Sequence, residues 1–215
     1  MSRTLTARFA KIDDMRLAAA IGFRVHSGWA ASVVIAGPTA KPVVLRRERI
    51  VLSDPSLHGS VQPYHAAEYR ELSQASRLIE QCRDSSRQLA DQAFSRLADD
   101  VGNTQHHLAG CGILLGSGRL PDTLEAVLRS HAYIHTAEGE LFRDVLRWAA
   151  DRRGIPLTLV KERDAMIAAS KKLRLAGQEL QTRIQELGRP LGPPWRQDEK
   201  LAALIAWLSL LGAAA

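Results

Sequence analysis

The stretch from Arg16 to Asp54 constrains the fold more than any other part of the chain. Its first segment, Leu17–Val25, opens as a nearly unbroken apolar run, the pattern of a strand buried on both faces. His26, Ser27 and Gly28 follow as a turn, with Gly28 free to take a positive φ. Trp29–Ala36 reads as a second strand, stopped by Gly37-Pro38. The third, Val43–Leu52, changes character. Arg46, Arg47 and Glu48 interrupt its apolar residues, as suits an edge strand with one wet face and charge that discourages further pairing. Asp54-Pro55 closes a three-strand meander.

Downstream, helix and strand alternate, which predicts a mixed α/β sheet. A polar loop over Ser56–Pro63 leads into a long helix from Tyr64 to Asp99. Its apolar and small residues, Leu72, Ala75, Ile79, Cys82, Ser86, Leu89, Ala93 and Leu97, recur at three- and four-residue steps. After a loop over Val101–Leu108, Gly110–Gly116 is a short buried strand whose glycines predict close approach of another backbone. Asp122 caps the next helix, with Glu125 three residues on in a capping-box arrangement. The chain is expected to bend at His135 and resume as a helix over Ala137–Arg153, capped by Thr136 and ended by Gly154. Ile155–Val160 is the fifth strand. Asp164–Leu187 is helical with an interruption near Gly177, Gly188–Pro194 is a linker, and Gln197–Leu211 is the final helix. The expected organisation is a basic arm over residues 1–16, a domain over 17–187, and a linker and C-terminal helix over 188–215 packed on that domain.

The two cysteines, Cys82 and Cys111, provide no disulfide framework and no paired metal clamp, so a reducing, cytoplasmic setting is the expectation. No apolar run reaches the roughly 18–20 residues of a membrane span. No GxxxxGK[ST] or GxGxxG phosphate loop occurs. Lys and Arg outnumber Asp and Glu by 29 to 23, a net charge of +6. That balance suits a polyanion such as nucleic acid; an Arg-rich composition without any anionic partner accounts for it equally well.

The order of three meandering strands, long helix, strand, helix, strand and closing helices resembles the ribonuclease-H-like fold. AIGFRVHSGWAASVV is similar to the first hairpin of its Holliday-junction-resolvase branch, with Gly22, Gly28, Trp29 and Ala30 matching the outline. AEGELFRDVLRWAADRRGIPLTLV resembles that branch's helix and fifth strand. The resemblance implies an α/β, ribonuclease-H-like mixed five-stranded sheet in the order 3-2-1-4-5, with flanking and C-terminal helices. It also implies a two-metal nuclease site built on carboxylates from the first strand, the fourth strand and a late helix. Arg24 stands at the position matching the first-strand aspartate. No Asp or Glu lies between Asp14 and Glu48, or between Asp100 and Asp122. Only Asp198 and Glu199 on the final helix remain. Hard divalent cations need oxygen ligands, so the expectation is a degenerate, non-catalytic member of the fold without bound metal or cofactor. It would act as a binding or interaction module for nucleic acid, another polyanion or a protein. A guanidinium at Arg24 needs a partner, and the fold places Asp198 or Glu199 nearest.

Ser130–Asp144 is the densest polar cluster. His131 and His135 share a face if the helix is continuous, and with Glu138 or Glu140 they would form a two-His, one-carboxylate set for a metal-dependent hydrolase. The other reading is a pair of imidazoles filling a helix corner beside two first-turn acids. His106-His107 read as a solvated loop pair, and Ser117 lacks a nucleophile elbow. Trp148, Trp195 and Trp207 read as packing residues. Arg24, Arg46, Arg47, Arg143 and Lys161 are the basic residues that would form a binding surface near the sheet; an ordinary solvated face accounts for them equally well.

Overall fold

Five strands form one mixed sheet in the order β3-β2-β1-β4-β5. They are seen in a computed structural model that describes residues 16–213; but for Arg16, the arm expected over residues 1–16 lies outside the described residues. β1 (Leu17–His26) and β2 (Trp29–Ala36) pair antiparallel through the turn Ser27-Gly28, where Gly28 has φ +77°. β3 (Val43–Val51) pairs antiparallel with β2 and forms one edge. β4 (His106–Leu115) runs parallel to β1, and β5 (Leu157–Lys161) parallel to β4. This is the ribonuclease-H-like arrangement.

Strand alternation divides the apolar residues between two cores. Ala19, Ile21 and Phe23 of β1, with Cys111 and Ile113 of β4, pack on one face against α2 (Leu72–Gly102) and α4 (His131–Asp151). Phe23 and Phe94 meet there with ring centroids 5.5 Å apart. The opposite face carries α7 (Gln197–Ala213), whose residues Leu201–Leu210 are all buried. A helix apolar on every side must be covered on every side. The sheet covers one side, and α5 (Ala165–Leu173) and α6 (Gly177–Leu187) contribute Ala169, Leu180 and Ile184 to the rest of that core.

Glycines determine how closely α7 approaches. A Cβ on Gly22 would run into the carbonyl oxygen of Ala202 and stand 2.5 Å from the amide nitrogen of Ala206. On Gly112 it would stand 2.5 Å from the carbonyl oxygen of Ile205, and on Gly110 2.6 Å from the Ser209 hydroxyl. The close backbone approach expected at the fourth strand is therefore made by α7, and β1 shares it through Gly22.

Several elements depart from expectation. The helix expected over Tyr64–Asp99 is two: α1 (Pro63–Ala67) and α2, separated where Glu71 takes an extended ψ of 140°. β4 begins at His106, not Gly110, because His106 and His107 pair with Leu17 and Ala18, giving those β1 backbone groups partners. Thr123, not Asp122, caps α3 (Leu124–Leu128), its hydroxyl accepting from the Ala126 amide at 3.2 Å. α4 runs without a break through His135. Its buried residues Ile134, Ala137, Leu141 and Val145 keep helical step across the expected bend, and the Thr136 hydroxyl donates to the Ala132 carbonyl (2.9 Å) instead of capping. The interruption near Gly177 is present, with Arg174 in the left-handed region at φ 56°.

Gly22→Ala and Gly112→Ala are expected to destabilise the fold by about 3 kcal/mol or more, since each forces a methyl group into a helix backbone that cannot yield locally. Gly177→Ala, with nothing within 4 Å of the added carbon, should be neutral or stabilising by up to about 1 kcal/mol. Urea unfolding midpoints of the three variants check this; equal midpoints would remove the proposed seat of α7.

Candidate functional site

The seating of α7 delivers its first turn to the carboxyl end of β1. Four residues of helix advance roughly 6 Å and two residues of strand nearly 7 Å, so with Ala202 and Ala206 over Gly22, Asp198 stands over Arg24. Arg24 shares the α7 face with Gly22, two residues on. Its Nη1 contacts the Asp198 carboxylate. Its Nε and Nη2 donate to the two oxygens of Glu162 at 3.2 and 3.1 Å. Glu162 opens the 3-10 turn after β5, a residue to which the sequence reading gave no role; nothing local marked it, because the contact spans β4. His26 Nε2 lies 3.2 Å from both the Arg24 guanidinium and the Asp198 carboxylate. Glu199 is elsewhere: its carboxylate accepts from the Arg196 amide at 2.8 Å. Partial burial by itself would lower the Arg24 pKa, but the bonds to Glu162 and Asp198 outweigh it and hold the group above its usual value.

Clefts flank this cluster on both sides. One of about 350 Å³ is lined by Trp29, Arg47, Arg49, Arg196 and Asp198. The other, about 480 Å³, is lined by Leu115, Ser117, Glu162, Arg163 and Gln197. At the first, His26 stacks on Trp29 (4.2 Å between centroids, 8° between planes), and the Arg49 guanidinium lies 4.0 Å from the Trp29 ring. His26, Trp29 and Arg49 thus form a row across β1, β2 and β3.

The other basic residues singled out in the sequence are mostly engaged within the molecule. Arg46 pairs with Glu48 (3.0 Å) and Asp100 (2.7 Å). Arg47 donates to the carbonyls of Leu191, Gly192, Pro193 and Pro194, holding the linker before α7. Arg143 donates to the Leu114 carbonyl at 3.1 Å and lies against Gly116 and Gly139. Lys161, at the end of β5, is exposed.

The second cluster gains one member and loses another. Because α4 is continuous, His131 and His135 share a face with their Nε2 atoms 3.0 Å apart. His65, from α1, joins them with ring centroids at 5.3 and 4.7 Å. Glu138 is only 1% exposed. Its Oε1 accepts from the amides of Tyr64 (2.8 Å) and His65 (3.0 Å) and lies 3.2 Å from His65 Nδ1. Burial pushes the Glu138 carboxyl pKa up, while these bonds pull it down without cancelling the rise. Glu140 is turned away onto Arg147 (2.7 Å) and Arg143 (3.3 Å). The acids do not occupy a free first turn, since α4 starts a full turn or more before them. His65 carries no signal of its own in the sequence; only the packing of α1 on α4 brings it here.

No protein-family model matches the chain, and no curated protein matches it in sequence. Among solved structures it is similar to RuvC of Thermus thermophilus, at 13% identity and TM-score 0.49 over 92% of this chain and 95% of that one. The same protein in complex with a Holliday junction substrate matches at 12% identity and TM-score 0.48 over 93% and 95%. The yeast mitochondrial Holliday junction resolvase matches at 10% identity and TM-score 0.47 over 97% and 85%. The fold is read from the sheet order itself.

Arg24→Ala leaves Asp198 and Glu162 without their shared counter-charge. With the Arg24 side chain 23% exposed, the expected loss is about 1–3 kcal/mol, between the values for exposed and fully buried pairs. Arg24→Asp should be less stable still and should recover in part on adding Mg²⁺, because three carboxylates then meet. Chemical denaturation with and without Mg²⁺ measures both. An Arg24→Ala protein as stable as the parent would make the guanidinium dispensable to the fold.

Proposed function

We propose that this chain is a non-catalytic ribonuclease-H-like module that binds nucleic acid. The observation that carries the reading is the guanidinium of Arg24 between the carboxylates of Asp198 and Glu162. Two-metal phosphodiester cleavage needs two hard cations about 4 Å apart in a nest of oxygen ligands. Here a fixed positive charge engages the oxygens such cations would need and repels them at contact distance. β1 and β4 themselves contain no Asp or Glu.

The binding half of the proposal is supported by the surplus of basic residues and by the cleft beside the cluster. Arg49 and Arg196 line that cleft, and Arg49 rests on the Trp29 ring. A guanidinium held against an aromatic ring loses little further freedom when its fork engages a phosphate.

Mobility shifts of duplex, single-stranded and four-way-junction DNA across a salt series test both halves, with parallel Mg²⁺ and Mn²⁺ incubations resolved on denaturing gels. Affinity should fall steeply with salt, and an Arg49→Ala/Arg196→Ala double variant should flatten the log–log slope by about two units. No cleavage is expected. Absence of binding at low salt would remove nucleic acid as the partner. Metal-dependent cleavage that disappears in Asp198→Asn would overturn the non-catalytic assignment.

A further inference from the structure

We infer that His65, His131 and His135 form a binding site for a borderline divalent transition metal, zinc foremost, which fastens α1 to α4. The inference is independent of the function proposed above, since it uses none of the residues of the Arg24 cluster.

Three observations carry it. First, each of the three imidazoles offers a ring nitrogen, and these atoms all lie within 4.8 Å of one another. Nitrogens sharing a tetrahedral zinc at bond lengths near 2.0–2.1 Å stand roughly 3.3 Å apart. The His131 and His135 Nε2 atoms, at 3.0 Å, are within a small ring rotation of that spacing. Both side chains are exposed and free to make it. Second, the Nδ1 of His65 faces Glu138 at 3.2 Å, which leaves its Nε2 as the ligand atom. A carboxylate behind a ligating imidazole fixes the ring's orientation and raises its basicity, the usual arrangement behind metal-bound histidines. Third, the other oxygen of Glu138, Oε2, is buried with no hydrogen-bond partner among the described residues. A buried carboxylate oxygen left without a partner beside His65 is a polar group that two capped amides do not account for.

Imidazole ligation favours zinc, copper, nickel or iron over magnesium or calcium. With three protein nitrogens the site has its fourth position open to water or an exogenous ligand. Glu140 takes no part, being engaged by Arg143 and Arg147. The site therefore differs from the two-His, one-carboxylate set read from the sequence. α1 spans only five residues, and a metal bond to His65 would tie it to α4 more firmly than the Glu138 contacts alone.

The test uses the untagged full chain, dialysed against chelator and titrated with zinc chloride by calorimetry and thermal unfolding. One zinc per chain and a rise in Tm are expected, because a ligand of the native state stabilises it. His131→Gln and His135→Gln should keep the metal-free Tm, since both positions are exposed, yet each should weaken zinc binding about tenfold or more. Glu138→Gln should weaken it about 10- to 100-fold through the loss of the supporting carboxylate. Cobalt substituted for zinc should give the intense visible absorption of a four-coordinate nitrogen site. Substoichiometric uptake would overturn the inference. So would unchanged affinity in a His131→Gln/His135→Gln double variant, which would place the zinc on other histidines such as His106 and His107.

Discussion

Contact between the backbone of α7 and the backbones of β1 and β4 is the constraint on which the rest of the structure depends. Side chains normally hold a helix about 10 Å above a sheet. Here Gly22, Gly110 and Gly112 remove them, and Ala202, Ile205, Ala206 and Ser209 come down onto the strands. Such an interface fixes the helix register sharply, because sliding α7 by one residue would put a side chain onto a glycine and leave a void elsewhere. The same register brings Asp198 to Arg24. Polar chemistry at the end of the sheet thus follows from packing in its middle.

The many arginines act first as fasteners. Arg46, Glu48, Arg96 and Asp100 form a chain of ion pairs between β3 and α2. Arg153 joins the end of α4 to Asp91 and Ser95 of α2. Arg47 gathers four successive carbonyls of the linker. Net charge is therefore a poor guide to where an anion would dock. Position is better: Arg49, oriented on the Trp29 ring, and Arg47, held by the linker carbonyls, lie next to open volume beside the Arg24 cluster.

The two polar clusters share one end of the sheet but occupy opposite faces. Arg24 and His26 end β1 on the α7 face. α1 follows the end of β3, and the start of α4 follows the end of β4, on the face covered by α2 and α4. Ligand sites of open α/β sheets gather beyond the carboxyl ends of parallel strands, where loops diverge and helix ends point inward. Both polar clusters of this molecule lie in that region, the ion pairs on one face and the histidines on the other.

The sequence by itself determined the strand meander and the α/β alternation, because long apolar runs, alternation and turn residues act over a few neighbouring positions; the sheet order was expected only through the resemblance that this element order carries. It also flagged the glycines of β4 and the lack of acids in β1 and β4, both properties of single segments. Element boundaries were less legible. The expected break at Thr136 rested on local capping preference, and the continuous buried stripe of α4 overrode it. Only the tertiary structure decided which polar groups meet. Glu162 reaches Arg24 across β4. His65 joins His131 and His135 because α1 packs on α4. Partners such as these lie far apart along the chain, and their meeting is set by the packing of whole elements, of which no short stretch of sequence carries a record.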